Sequence, residues 1–96
     1  MNSLPTIPPF PAGQIVATPG ALALLELVNE SPLEFLSRHL RGDWGELCQD
    51  DTTENELSLK HGFRLLSSYQ VTETEKLWII TEADRSMTTL LLPSEY

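Results

Sequence analysis

The spacing of apolar residues changes period near the middle of this chain, from helical to strand-like. Ala21, Leu24, Leu25 and Val28 recur at i, i+3, i+4 and i+7, the stripe of an amphipathic helix. Thr18 precedes Pro19 there, an N-cap residue followed by the residue best suited to the first helical position. Asn29 ends the run. A second helix opens at Ser31-Pro32, and Glu34 completes an S-x-x-E capping box. Leu33, Leu36 and Leu40 form its apolar face, with Phe35 and His39 beside them and Gly42 as a left-handed stop. So short a connection between the two predicts a helical hairpin. A third helix is expected over about 52–61, capped by Asp51 with Glu54 at the capping-box position and stopped by Gly62. Leu57 is its clearest candidate for burial, joined by Leu59 and Leu47. In the preceding loop, Gly42-Asp43-Trp44-Gly45 predicts a bend that plants the indole against the core.

The last third reads differently. Three apolar runs, 63–71, 77–81 and 87–92, are separated by Thr72-Glu73-Thr74-Glu75 and Glu82-Ala83-Asp84-Arg85-Ser86. In the first, Phe63, Leu65, Ser67, Tyr69 and Val71 alternate with more polar positions, so one face is more buried than the other. The second, Leu77-Trp78-Ile79-Ile80-Thr81, is apolar on both faces, as a central strand covered by helices would be. The third stops at Pro93, which cannot continue a ladder. The expected fold class is therefore α+β, with two or three N-terminal helices followed by a three-stranded antiparallel β-meander.

The first 17 residues stand apart. Pro5, Pro8, Pro9 and Pro11 fix φ and remove donors, which predicts an extended arm over 1–17 and a single α+β domain over 18–96. Ile7, Phe10, Ile15 and Val16 are the side chains able to pin the arm. Pro5-Thr6-Ile7-Pro8 fits a P-x-x-P core but has no basic neighbour, so it is a poor recognition signal.

Charge narrows the choice of partner. Fourteen acidic residues against six basic leave a net charge of −8 across 96 residues. Such a surface is repelled by nucleic-acid phosphates and anionic membranes, so direct binding to either is disfavoured and a basic partner is favoured. The same charge also serves solubility alone. Cys48 is the single cysteine and cannot form an internal disulfide. No apolar run approaches a membrane span, and no signal-like segment opens the chain, so a cytoplasmic setting is expected.

Reactive constellations are missing from the pattern. His39, Cys48 and His61 are separated by 8 and 12 residues, which is not zinc-like spacing. Both histidines fall near predicted helix C-termini, where an imidazolium interacts favourably with the dipole and caps carbonyls. Ser67-Ser68 lie in a strand rather than on a nucleophile elbow, and no glycine-rich phosphate loop is present. No catalytic residue, metal or cofactor is expected, and the chain reads as a non-enzyme.

The acidic run is the better lead. Asp43, Glu46, Asp50, Asp51, Glu54 and Glu56 lie within 43–56 without a Lys or Arg among them. On one continuous helix, Asp43, Glu46, Asp50 and Glu54 would form a single negative stripe, rising about 5.4 Å per turn, toward a basic groove. Gly45 and the capping signal at Asp51 interrupt such a helix, and the run then reads as helix N-terminal charge and loop solvation. The turn holding Glu82, Asp84 and Arg85 has the same two readings, a structural turn or a loop that contacts a partner. With Trp44, these residues make up the candidate partner-binding set.

Several segments taken together resemble a known family: Ala17-Thr18-Pro19-Gly20-Ala21-Leu22, Arg38-His39 before Gly42-Asp43-Trp44-Gly45, Arg64 followed by Ser67 and Tyr69, and Trp78-Ile79-Ile80-Thr81-Glu82-Ala83-Asp84-Arg85-Ser86 running into Thr88-Thr89-Leu90-Leu91-Leu92-Pro93 and Tyr96. The chain is similar over nearly everything after residue 16 to small bacterial proteins carried on plasmids and other mobile elements, sometimes labelled type I restriction endonuclease subunit M. A methyltransferase subunit needs a much larger α/β domain and an N/D-P-P-Y/F motif. Pro8-Pro9-Phe10 lacks the preceding Asn or Asp. What the resemblance implies is a setting, mobile DNA, where small acidic proteins often inhibit host nucleases. It carries no functional residues over. The expectation is a protein-binding inhibitor of a host defence nuclease complex, of anti-CRISPR or anti-restriction type, that mimics DNA and occupies a basic nucleic-acid-binding surface. The alternative is a structural or regulatory module that forms a homodimer or joins a larger assembly through an exposed sheet edge or the Trp44 region.

Overall fold

In the computed structural model, which describes residues 10–96, three helices pack on a four-stranded mixed sheet. The elements are β1 (Gln14–Ala17), α1 (Pro19–Leu27), α2 (Pro32–Leu40), α3 (Gln49–His61), β2 (Leu65–Gln70), β3 (Lys76–Thr81) and β4 (Met87–Leu91), followed by a 3-10 turn over Pro93–Glu95. No described helix is long and apolar enough to cross a membrane.

The three C-terminal strands pair antiparallel as the runs predict, but they are not the whole sheet. Its order is β1-β4-β3-β2, and β1 lies parallel to β4 with Ile15 beside Thr88 and Ala17 beside Leu90. The three-stranded meander is thus corrected to a mixed four-stranded sheet. Part of the proline-rich arm supplies the extra strand, because Gly13, Gln14, Ile15 and Val16 follow the last proline before α1 and can donate to a ladder. Phe10 goes further and enters the core, 4% exposed. Pro5-Thr6-Ile7-Pro8 lies outside the described residues.

Both N-terminal helices start at their predicted cap residues, although Glu34 does not complete the capping box at Ser31. The Thr18 hydroxyl accepts from Ala21 N–H at 3.1 Å, and the Ser31 hydroxyl from Leu33 N–H at 3.2 Å. Ala21 and Leu25 of α1 meet Phe35 and Leu36 of α2 over Tyr69, Leu77, Ile79 and Leu90 of the sheet. Leu33 points away and is exposed. A second cluster joins Phe10, Trp44 and Leu65, with Leu40, Leu47 and Leu59 packed around it. On the other face of β3, Trp78 meets the ring of Tyr96 at 5.7 Å, so this face is covered by the chain's end rather than by a helix.

The third helix departs most from its expected form. It starts at Gln49 with Cys48 at the N-cap, and no side chain bonds the cap. It buries Asn55 and Ser58 and leaves Leu57 45% exposed. The reason lies in its neighbour: α3 runs beside the edge of β2, and a strand edge presents backbone donors and acceptors rather than apolar side chains. Asn55 Nδ2 donates to Leu66 O at 2.6 Å, and Leu66 N–H donates to Asn55 Oδ1 at 3.1 Å, so the amide takes the place of a missing strand.

Candidate functional site

The ten candidate partner-binding residues divide into those that hold the fold together and those left facing outward. The connector between α2 and α3 runs alongside β2. Ser68 N–H donates to Trp44 O at 3.0 Å, and Glu46 N–H donates to Ser68 O at 2.6 Å. Glu46 Oε1 accepts from Gln70 N–H at 2.7 Å, which extends the blocked edge by one more position. Asp43 takes the Arg38 guanidinium at 2.7 Å, and that hydrogen bond holds its carboxyl below the usual carboxylate range. Its Oδ1 also accepts from Gly45 N–H, while its carbonyl takes the Tyr69 hydroxyl at 2.6 Å. Trp44 is buried, as the flanking glycines predict, and its Nε1–H donates to Glu56 at 3.3 Å. Asp43, Glu46 and Glu56 are exposed but each is bonded within the molecule, whereas Trp44 is buried.

The turn from β3 to β4 is likewise occupied. Arg85 takes a left-handed φ of 61° and donates to the Glu82 carbonyl at 3.1 Å, but forms no ion pair with the Glu82 or Asp84 carboxylate. Its guanidinium donates to Phe63 O at 2.6 Å and to Ser58 O at 3.0 Å, tying the turn to the C-terminal end of α3. Asp84 accepts from Ser86 N–H at 3.0 Å, and hydrogen bonding to Ser86 lowers its pKa. Glu82 stays exposed.

Besides Glu82 and Asp84, the candidates without a hydrogen bond to a distant part of the described chain gather on α3. The continuous stripe from Asp43 through Glu54 does not form, because Asp43 and Glu46 precede the helix. On α3 itself, Asp50, Glu54, Leu57 and His61 recur at i, i+4, i+7 and i+11, all exposed. Asp51 and Glu54 also border a shallow groove with Asn55, Ser58, Phe63, Arg64 and Leu66. Phe63 is 59% exposed and its ring lies 6.2 Å from that of His61, so the acidic end of the face grades into an apolar one.

Sequence reasoning places His39 at a helix end, and the structure turns it inward. His39 is fully buried and heads a chain of hydroxyls across three strands. The directions are set from one end, since a carbonyl only accepts. The Thr88 hydroxyl donates to Ala12 O at 2.7 Å, and Thr88 then accepts from Thr81 at 2.7 Å. Thr81 in turn accepts from His39 Nε2–H at 2.9 Å, which leaves Nδ1 to accept from the Ser67 hydroxyl at 2.5 Å. This is the contact a nucleophile and its base would make. Ser67 and His39 are both 0% exposed, however, so no substrate reaches the hydroxyl and the pair is architectural. Desolvation lowers the His39 pKa from 6.5 to about 4, so the imidazole is neutral near pH 7. The rings of Phe10 and Trp44 seal it at 5.4 and 5.7 Å.

Among the described residues, no group of three or more His, Cys, Asp and Glu side chains converges to hold a metal ion. Comparison of the chain with protein-family models, with curated proteins and with solved structures finds no match.

Proposed function

We propose that the chain is a non-enzymatic protein-binding protein whose α3 face docks on a basic surface of its partner. The observation that carries this reading is the exposed face of α3, on which carboxylates sit beside an outward-pointing leucine. Asn55 and Ser58 are buried against the sheet edge, whereas Asp50, Asp51, Glu54 and Leu57 face solvent. Exposed carboxylates steer a basic partner to the site, and Leu57 and Phe63 supply apolar area that is buried on contact. With the resemblance to mobile-element proteins, the partner class is a nucleic-acid-binding protein of a host defence system, such as a CRISPR or restriction nuclease. The carboxylates occupy the Lys/Arg-lined groove that otherwise holds phosphates, and the outcome is inhibition.

The test is the triple variant Asp50→Lys, Asp51→Lys, Glu54→Lys, with partners recovered by affinity purification from a bacterial host and identified by mass spectrometry. The wild-type protein is expected to retain a nuclease subunit and to compete with its DNA, more strongly at low salt, while the triple variant loses the subunit. Circular dichroism controls for the fold, since lysines in the first turn oppose the helix dipole by about 0.3–1 kcal/mol each. A folded triple variant that binds as the wild type does would dispose of the mechanism.

A further inference from the structure

We infer that β1 is a self-association edge, on which a second copy of this chain pairs antiparallel and extends the sheet. The two edges of the sheet are treated differently. At β2, Asn55, Trp44 and Glu46 bond the backbone groups of Leu66, Ser68 and Gln70. At β1 no described residue does the equivalent. Gln14 N–H donates to Ser86 O and Thr18 N–H donates to Leu90 O, each at 2.9 Å, so alternate residues of this parallel ladder face β4. Ile15 and Ala17 therefore turn their N–H and C=O groups outward.

Three features select a copy of the same chain as the occupant. The outward residues are spaced so that a two-fold axis through Val16 sets Ile15 of one copy opposite Ala17 of the other. Each pair then exchanges both backbone hydrogen bonds, an isologous contact that needs no second kind of surface. Electrostatics points the same way. Two molecules of net charge −8 repel, and they can meet only where charge is absent. No Asp, Glu, Lys or Arg precedes Glu26, so β1 itself carries no charged side chain. Glu95 keeps its negative charge at the start of α1, where Thr18, Gly20 and Leu92 hold it beyond the end of the strand. Finally, Ile15 and Leu22, 50% and 49% exposed, add apolar area beside the strand, and none of the charge or proline that usually blunts an edge lies within Gln14–Ala17.

A strand of four residues makes a weak, concentration-dependent dimer. Sedimentation equilibrium of the full chain up to several hundred micromolar is expected to show it. Association should tighten with added salt, as screening removes the repulsion between copies. That is opposite to the salt response of a basic partner on α3, so the two sites are distinguishable. Ile15→Pro deletes one outward donor while sparing the bonds to β4, and is expected to weaken the dimer by about tenfold or more. Ile15→Lys leaves the backbone unaltered and serves if the proline variant does not fold. The Asp50, Asp51 and Glu54 reversals should keep the contact and tighten it, since at two charges each they bring the net charge from −8 to −2. A wild-type chain that stays monomeric over this range, or a dimer indifferent to both Ile15 substitutions, overturns the inference.

Discussion

The buried imidazole of His39 makes acid stability the most direct quantitative test of this fold. Its pKa lies at about 4 in the native protein against 6.5 for the unperturbed side chain. Between those values the unfolded chain holds a proton that the folded chain does not, so unfolding is favoured as pH falls. The contribution is complete above pH 6.5 and is lost progressively as pH drops through the native pKa. At 1.36 kcal/mol per pH unit, the interval from 6.5 to about 4 corresponds to about 3 kcal/mol in all, with about 2 kcal/mol already gone at pH 5. For a domain of this length, that is a fall in melting temperature of roughly 10 °C. The carboxylates with lowered pKa, Asp43 among them, add their own loss only below the ordinary carboxylate range, so the window from 6.5 to 4.5 is dominated by His39.

The assay is urea unfolding followed by circular dichroism at pH 7.5, 6 and 5, run in parallel on His39→Gln. The glutamine variant should be less stable at pH 7.5, because it fits the Ser67–Thr81 gap less well, but its stability should vary little across the window. The His39 imidazole resonance should not titrate above pH 5. A wild-type imidazole titrating near 6.5, or identical pH slopes for the two proteins, would refute the reasoning.

Two further outcomes are expected from the α3–β2 corner. Asn55→Ala leaves the Leu66 N–H and C=O without their partner and should cost about 1–3 kcal/mol in urea unfolding. Asn55→Asp should be destabilising as well, since it keeps the acceptor but sets a carboxylate against a carbonyl. Gly45→Ala should be far worse than Gly62→Ala, although both glycines have φ near 75° (75° and 76°). A Cβ at Gly45 would stand 2.1 Å from Ser68 O, whereas nothing lies within 4 Å of one at Gly62. The first should cost about 3 kcal/mol or more, and the second about 1 kcal/mol from the left-handed backbone alone. Equal thermal shifts for the two variants would contradict the connector's place against β2.

Local chemistry was legible in the chain, and long-range pairing was not. Thr18-Pro19, Ser31-Pro32 and Gly62 mark helix ends whose signals lie within a few residues of one another. The three C-terminal strands show as short apolar runs between turn residues, and Trp44 shows as a core residue through its flanking glycines. Strand β1 was hidden because its ladder joins Gln14–Ala17 to Met87–Leu91, at the far end of the sequence. Its own run is too short for a period. His39 was read as a helix-end imidazolium for a similar reason: Ser67, Thr81 and Thr88 of its hydroxyl chain sit on three strands, and no local spacing connects them. The helix rule held in part at α3: Leu59 packs beside Trp44 as expected, but Leu57 does not. The chemistry of a strand edge selects Asn55, whose amide bonds Leu66, over Leu57.

That exception bears on what α3 is for. A helix needs only some of its apolar residues for packing: Leu59 of α3 joins the Trp44 cluster, while Leu33 of α2 points outward. Because α3 is fastened by directional bonds from Asn55 to Leu66 and from Arg85 to the Ser58 carbonyl, its Leu57 is free to point outward. On contact with the proposed partner, burying Leu57 would be worth about 1–2 kcal/mol. The carboxylates divide in the same way. Asp43, Glu46 and Glu56 are bonded within the molecule, so reversing them should damage the fold itself. Asp50 and Glu54 lie on the outer face, and Asp51 meets only the thiol of Cys48, at 3.4 Å. Charge reversal at 50, 51 and 54 therefore isolates recognition from stability, a separation that the same substitutions at 43, 46 and 56 cannot achieve.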